Sequence, residues 1–249
     1  LDPQVLLITG GSRGIGAATA LLAAKRGFAV AVNYAANSLA ADEVVRRIRA
    51  EGGSAITVQG DVGDEAQVVA MFEKVDAKLG RLTALVNNAG VVDVRARVDQ
   101  MSVQRLERMF RINVTGSFVC AREAVRRMST AHGGSGGAIV NVGSAASRIG
   151  SPDLYVDYAA SKGAIDTFTL GLAKEVAAEG IRVNAVRPGL IDTEIHASGG
   201  LPDRHHLLAP QVPMQRVGTA NEVAAAIVWL LSPEASYTTG ALLDVGGGR

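Results

Sequence analysis

The sequence predicts a doubly wound α/β fold, a parallel sheet of about seven strands with helices on both faces, in a single domain spanning residues 1–249. Two observations carry that expectation. Short continuous runs of Val, Ile, Leu and Ala alternate with longer stretches of helical periodicity, the pattern of strands buried on both faces. A glycine cluster follows the first such run and opens the first helical stretch, as a phosphate-binding turn does. An apolar content of 48% is ample for one large core, and the 4% aromatic content leaves Ala, Val and Gly to pack helices close on the sheet.

The elements follow in order. Residues 4–9 read as the first strand and 14–26 as a helix whose small residues Ala17, Ala20 and Ala24 permit close packing. Strand 29–34, helix 39–51, strand 55–59 and helix 65–79 come next, each strand an apolar run and each helix amphipathic. Strand 84–87 precedes one long helix over 103–129. Strand 138–142, helix 155–179 and strand 182–186 complete the central part, and helix 221–231 with strand 241–245 closes the chain. The stretch between residues 190 and 217 breaks the alternation. It holds Gly199, Gly200, Pro202, Pro210 and Pro213, and is expected to be a substrate lid, since long loops in compact domains are often functional.

Composition excludes several functions. A net charge of +1 gives no electrostatic footprint for nucleic acid or an anionic membrane. No apolar run approaches the roughly 20 residues that span a bilayer. The first nine residues, too short for a signal peptide, run straight into a strand, so no such peptide is expected. The single cysteine, Cys120, cannot form an internal disulfide and fits a reducing, cytoplasmic setting. His196, His205 and His206 match no common metal-ligand spacing, so no metal is expected.

The first turn reads Thr9-Gly10-Gly11-Ser12-Arg13-Gly14-Ile15-Gly16. Its glycines let backbone N–H groups approach a pyrophosphate, and the helix N-terminus behind it favours negative charge, which makes the fold Rossmann-like and dinucleotide-binding. An acidic ribose anchor would stand at the end of the second strand, where this chain has Asn33-Tyr34. With no carboxylate there and Arg13 available to a 2′-phosphate, NADP(H) is favoured over NAD(H), unless Arg13 is simply solvated.

Other polar residues collect at strand ends, where such sheets bind ligands. Asp61-Val62 follows the third strand, and Asp61 either accepts from an adenine amino group or caps a helix. Asn87-Asn88-Ala89-Gly90 follows the fourth, its Ala-Gly pair leaving room for a flat ligand and its amides equally suited to tying strand ends together. Ser144 follows the fifth, and Pro188-Gly189-Leu190-Ile191-Asp192-Thr193 the sixth. Tyr158 and Lys162, four apart on one helix face, read either as a proton-transfer pair for an alcohol and its carbonyl or as one packed ring and one solvated ammonium. The ammonium is expected to pull the phenol pKa down. Tyr155 has no lysine four residues on and reads as a pocket or packing residue.

Taken together, Thr9-Gly10-x-x-x-Gly14-x-Gly16, Asn87-Asn88-Ala89-Gly90, Asn113, Ser144, Tyr158-x-x-x-Lys162 and Pro188-Gly189 resemble the single-domain short-chain dehydrogenase/reductase family over nearly the whole chain. Among its subgroups the chain is similar to beta-ketoacyl carrier-protein reductases and to general carbonyl and sugar reductases. The resemblance implies a nicotinamide-dependent oxidoreductase acting on a small carbonyl or alcohol substrate. It implies that Ser144 hydrogen-bonds the substrate oxygen, Tyr158 is the acid/base, Lys162 holds the ribose, and Asn113 positions a proton-relay water. It also implies that Thr193 reaches the nicotinamide carboxamide, and it points to a homotetramer, as does the small and apolar surface of Thr167, Leu170, Gly171 and Ala173. Two departures stand out. Gly143 replaces a frequent serine, which leaves Ser147 open as the hydroxyl partner, and Asp244-Val245-Gly246-Gly247-Gly248 varies the usual ending. The competing readings are a nucleotide-binding regulator with little turnover and a sugar-nucleotide epimerase, for whose larger substrate domain the chain has little room.

Overall fold

Apolar runs of four to eight residues, too short and too rich in β-branched side chains for helices, form the strands of one seven-stranded sheet. The computed structural model describes residues 4–193 and 207–249. The sheet strands are β1 Val5–Ile8, β2 Ala29–Tyr34, β3 Ala55–Gln59, β4 Ala84–Asn87, β5 Gly137–Val142, β6 Ile181–Pro188 and, last in the chain, β9 Leu242–Val245. Their spatial order is β3-β2-β1-β4-β5-β6-β9, every pair parallel. The direction of winding reverses between β1 and β4, and that crevice is where an open parallel sheet receives its ligand.

Helices α1 Gly14–Lys25, α2 Ser38–Ala50 and α8 Ala220–Leu231 cover one face with Ala20, Ala23, Val44, Ile48, Val223 and Ile227. Helices α3 Glu65–Leu79, α5 Gly116–Met128 and α7 Val156–Val176 cover the other with Val68, Phe72, Ala124, Met128, Ala173 and Val176. Cys120 lies fully buried in this second layer. Local chemistry sets the helix starts. Asn37, Asp64 and Ser102 accept N–H bonds from the first turns of α2, α3 and α4 (Val103–Phe110), and Thr219 with Glu222 forms a reciprocal cap on α8.

Three features differ from the sequence expectation. The helix expected over 103–129 is interrupted: α4 passes through a π-turn, Arg111–Thr115, before α5 begins. Residues 146–149 form a short helix, α6. At the two ends of the stretch expected to break the alternation, β7 Ile191–Asp192 pairs with β8 Gly218–Thr219, so the two feet of the segment are joined. Residues 194–206 of the expected lid, with His196, His205, His206 and Leu201, lie outside the described residues.

Candidate active site

The Gly-rich turn is built by its neighbours as much as by its glycines. Gly10 has φ +61, and a Cβ at Gly16 would lie 2.4 Å from the Gly10 carbonyl oxygen and 2.7 Å from Asn88 Nδ2. The Asn88 amide donates to the carbonyls of Thr9 and Gly10, each at 2.9 Å. Thr9 Oγ1 in turn accepts the N–H groups of Asn88 and Ala89. The loops after β1 and β4 are therefore one unit at the switch point. No side chain caps α1, and Arg13 at its N-cap position is exposed beside Ser12, Gly14 and Ile15. The open N–H groups and the close glycine packing fit a dinucleotide pyrophosphate.

Asn33 and Asp61 are committed to the protein. Asn33 is 2% exposed; its Oδ1 accepts Gly10 N–H at 3.0 Å, and its Nδ2 donates to Val58 and Gly60 carbonyls at 3.2 and 3.0 Å. The sequence places it at the cofactor edge, and the structure turns its amide inward to hold the turn, leaving half-buried Tyr34 beside it. Asp61 accepts Gly63 N–H at 2.8 Å and faces Arg111 at 3.5 Å, while Asp64 provides the helix cap. Val62 is buried, its carbonyl against Gly116.

A cleft of about 400 Å³ opens on the same sheet edge. Of the expected residues, Ile15, Asn88, Gly90, Ser144, Tyr158, Lys162, Pro188, Gly189, Ile191 and Thr193 line it. Asn113 stands behind Gly90: a Cβ on Gly90 would come within 3.4 Å of Asn113 Oδ1 and 3.5 Å of Lys162 Nζ. The Asn113 amide is held by Val91 N–H and C=O at 2.8 and 3.0 Å and donates to Ser161 Oγ at 3.1 Å. Ser161 Oγ donates to the Tyr158 carbonyl, so the π-turn is clasped to α7 beside the tyrosine.

Tyr158 and Lys162 share one face of α7. The ammonium is 5.7 Å from the phenol ring centroid and donates to Val142 C=O at 2.7 Å. The Ser144 hydroxyl, beyond the end of β5, is the side-chain group that acts on the phenol. Burial pushes the Tyr158 phenol above its ordinary value, and the Ser144 hydroxyl works against that rise. The downward shift expected from spacing is therefore not what the folded chain produces. Lys162 shares the same desolvation, which pushes it down to about 8 while Asp166 acts in the opposite sense. Ser147 does not line the cleft; its hydroxyl lies 2.6 Å from Asp166 Oδ2 and 2.9 Å from Ser144 C=O. Ser144 is the hydroxyl that faces Tyr158.

Sequence reasoning missed much of the remaining wall. Val92, Ile149, Pro152, Leu154, Leu208 and Arg249 come from loops and the chain end, where no periodicity marks them. Tyr155, expected as pocket or packing, is 6% exposed and lines the cleft. Among the described residues no group of His, Cys, Asp and Glu could hold a metal ion, and no helix is long and apolar enough to cross a membrane.

The family model described as "Enoyl-(Acyl carrier protein) reductase" matches residues 10–249. An uncharacterized oxidoreductase of Escherichia coli, YgfF, is 59% identical over 98% of this chain and 99% of its own length. The cis-4-hydroxycyclohexanecarboxylate dehydrogenase of Sinomonas cyclohexanicum is 41% identical over 98% of this chain and 96% of its own. A solved short-chain dehydrogenase/reductase from Serratia marcescens superposes with a TM-score of 0.91 at 33% identity, covering 100% of this chain and 98% of that one.

Proposed function

Because the chain belongs to the short-chain dehydrogenase/reductase family of oxidoreductases, we propose that it interconverts an alcohol and its carbonyl with NADP(H), Tyr158 acting as the general acid/base. The observation that carries this reading is the meeting of Ser144, Tyr158 and Lys162 in one cleft beside an uncapped helix N-terminus. A bound nicotinamide supplies or takes up the hydride. Ser144 donates a hydrogen bond to the substrate oxygen without titrating. Tyr158 gives its proton to that oxygen in reduction and takes it back in oxidation, help worth about 10²–10⁴ in rate. Lys162, fixed by Val142, holds the ribose and places a positive charge near the phenol. Asn113 keeps the π-turn seated behind Gly90, next to the path of proton relay.

For the cofactor, Gly10 to Gly16 take the pyrophosphate. Asp61, Val62, Ala89 and Gly90 border the adenosine and nicotinamide ends, and Pro188, Gly189, Ile191 and Thr193 close the far side. Arg13, exposed at the turn, and the lack of any acid from Asn33 to Asn37 support NADP(H). The apolar lining of Ile149, Pro152, Leu154 and Leu208 suits an alicyclic or aliphatic body. cis-4-Hydroxycyclohexanecarboxylate, the compound in the name of the Sinomonas relative, has such a body and is the first to assay. Residues 190–217 act as the lid in this reading, since both described flanks, through Leu190, Ile191, Thr193, Leu208 and Gln211, wall the cleft. A cytoplasmic homotetramer completes it. Gly163 and Gly171 on α7 have open space before them, and Leu170 is 40% exposed beside them, a surface for a second copy, whereas Ala173, expected on this surface, is 2% exposed and packs into the second layer. Light scattering that finds only a 25.7 kDa species would remove that part.

The test is a panel of alcohols, aldehydes and ketones followed by nicotinamide absorbance, with Tyr158→Phe as control. The variant is expected to bind NADPH as the wild type does and to lose at least about a hundredfold in kcat. Calorimetry is expected to give tighter binding of NADPH than NADH, with Arg13→Ala narrowing the gap. Near wild-type turnover by Tyr158→Phe would sink the acid/base assignment, and equal binding of the two cofactors the NADP(H) preference.

A further inference from the structure

The turn that presents Ser144 is fastened from behind by charged groups that the chemistry above does not use. Asp166 lies on α7 one turn beyond Lys162 and two beyond Tyr158. Its Oδ2 is 2.6 Å from Ser147 Oγ and 3.6 Å from Arg187 Nη1. The serine hydroxyl has one hydrogen, and the carboxylate at 2.6 Å outcompetes the Ser144 carbonyl at 2.9 Å for it. Arg187, at the end of β6, grips Asp244 of β9 through Nε at 2.7 Å and Nη2 at 3.2 Å. Arg148 reaches the same carboxylate at 2.7 Å. Ser147 N–H donates to Ser144 C=O at 3.1 Å, and Ser144 Oγ accepts Ala146 N–H at 3.1 Å, so both serines belong to one turn.

The two inner members of this chain of charges matter most. The Asp166 and Arg187 side chains are 15% and 14% exposed, whereas those of Asp244 and Arg148 are 40% and 60% exposed and contribute little. Position 143 supplies an independent sign. A Cβ there would lie 3.2 Å from Asp166 Oδ1, from Arg187 Cγ and from the Val186 carbonyl. A glycine at 143 is what lets the Asp166–Arg187 pair press against the backbone next to Ser144. Asp166 Oδ1 is buried in that contact without a hydrogen-bond partner. Such a group is costly, and its retention asks for a reason.

We propose that Asp166 is a positioning residue which, through Ser147 and across the bare backbone of Gly143, sets the Ser144 hydroxyl against Tyr158. The inference rests on the assignment of Ser144 and Tyr158 to the reacting oxygen. The departure of residue 143 from serine and the presence of Asp166 are then two halves of one device.

The full-length protein is studied as wild type, Asp166→Asn, Asp166→Ala, Ser147→Ala and the double variant Asp166→Ala/Ser147→Ala. Hydrogen exchange of residues 143–149, the kcat and KM of the best carbonyl substrate, and NADPH affinity are measured. In Asp166→Ala, exchange is expected to rise in 143–149 and stay unchanged in 9–16. Its kcat is expected to fall about tenfold or more, with KM moved much less and NADPH affinity kept within about twofold. Ser147→Ala reproduces this, and the double variant is no worse than Asp166→Ala, because both remove one link. Asp166→Asn, which still accepts from Ser147, recovers part of kcat. Unchanged exchange in 143–149 in Asp166→Ala and Ser147→Ala, or losses that add in the double variant, would overturn the inference. Should Asp166→Ala not fold, Ser147→Ala and Asp166→Asn decide it by the same readouts. A wild type without turnover on any carbonyl, yet with the expected exchange pattern, would count against the proposed reaction and leave the positioning link standing.

Discussion

Lys162 is the residue at which function and stability pull apart. In the unfolded chain its ammonium has the ordinary value of 10.5, and in the folded chain burial pushes it down to about 8. Below about 8 both states carry the proton, and the folded state bears the full cost of the buried charge. Between about 8 and 10.5 the unfolded chain holds more protons, so this group's contribution to stability improves as pH rises. Lys162→Met is therefore expected to gain Tm relative to wild type near pH 7, and that gain should shrink as melts approach about pH 9.5. A gain that grows with pH would contradict the assignment. Asn33 shows what spacing cannot say about a single residue. The interval from the Gly-rich turn fixed its place at the end of β2, but not that its amide points at Gly10, Val58 and Gly60. An aspartate there would set a carboxylate against two carbonyl oxygens, so Asn33→Asp is expected to loosen the Gly-rich turn and lower Tm.

The strands were legible because burial on both faces leaves an unbroken apolar run. Those expected over 29–34, 55–59 and 84–87 coincide with β2, β3 and β4. Tyr158 and Lys162 were legible because a helix repeats every 3.6 residues, which places fourth neighbours together. The π-turn was not, since one extra residue in a turn barely disturbs the hydrophobic stripe of 103–129. It is specified by contacts from elsewhere: Asn113 bonded to Val91, and Gly116 so close to Val62 that a Cβ would lie 2.8 Å from its carbonyl oxygen. The β7–β8 pair was equally hidden, two residues to a strand with Pro and Gly between. The tyrosine pKa was misjudged for a related reason. Sequence spacing reports a neighbouring charge but not the desolvation that both groups share.

At the scale of the molecule, the order of strands does what no single motif can. It sets the turn after β1 against the loop after β4, and Ser144 on β5's edge beside Pro188 and Gly189 on β6's. That arrangement follows from alternation of strands and helices with right-handed crossovers, which is why the edge carrying the Gly-rich turn was readable while the loop-built wall of the cleft was not. The wall is drawn from loops and the chain terminus, including Arg249, which the β6–β9 pairing carries to the cleft.

The lone cysteine gives the molecule a built-in clock. Cys120 is 0% exposed, and burial pushes its thiol up to about 12, so the folded chain presents almost no thiolate to an alkylating reagent at neutral pH. Modification must wait for α5 to leave the second layer. The rate of carboxamidomethylation then counts openings of the core, with no reporter engineered in. If those openings are global, NADPH at a hundred times its Kd should slow labelling about a hundredfold, the factor by which a ligand of the folded state depletes the open one. Mass spectrometry of timed samples would read that factor. Labelling as fast as that of a free thiol would mean that this layer opens far more readily than its packing allows.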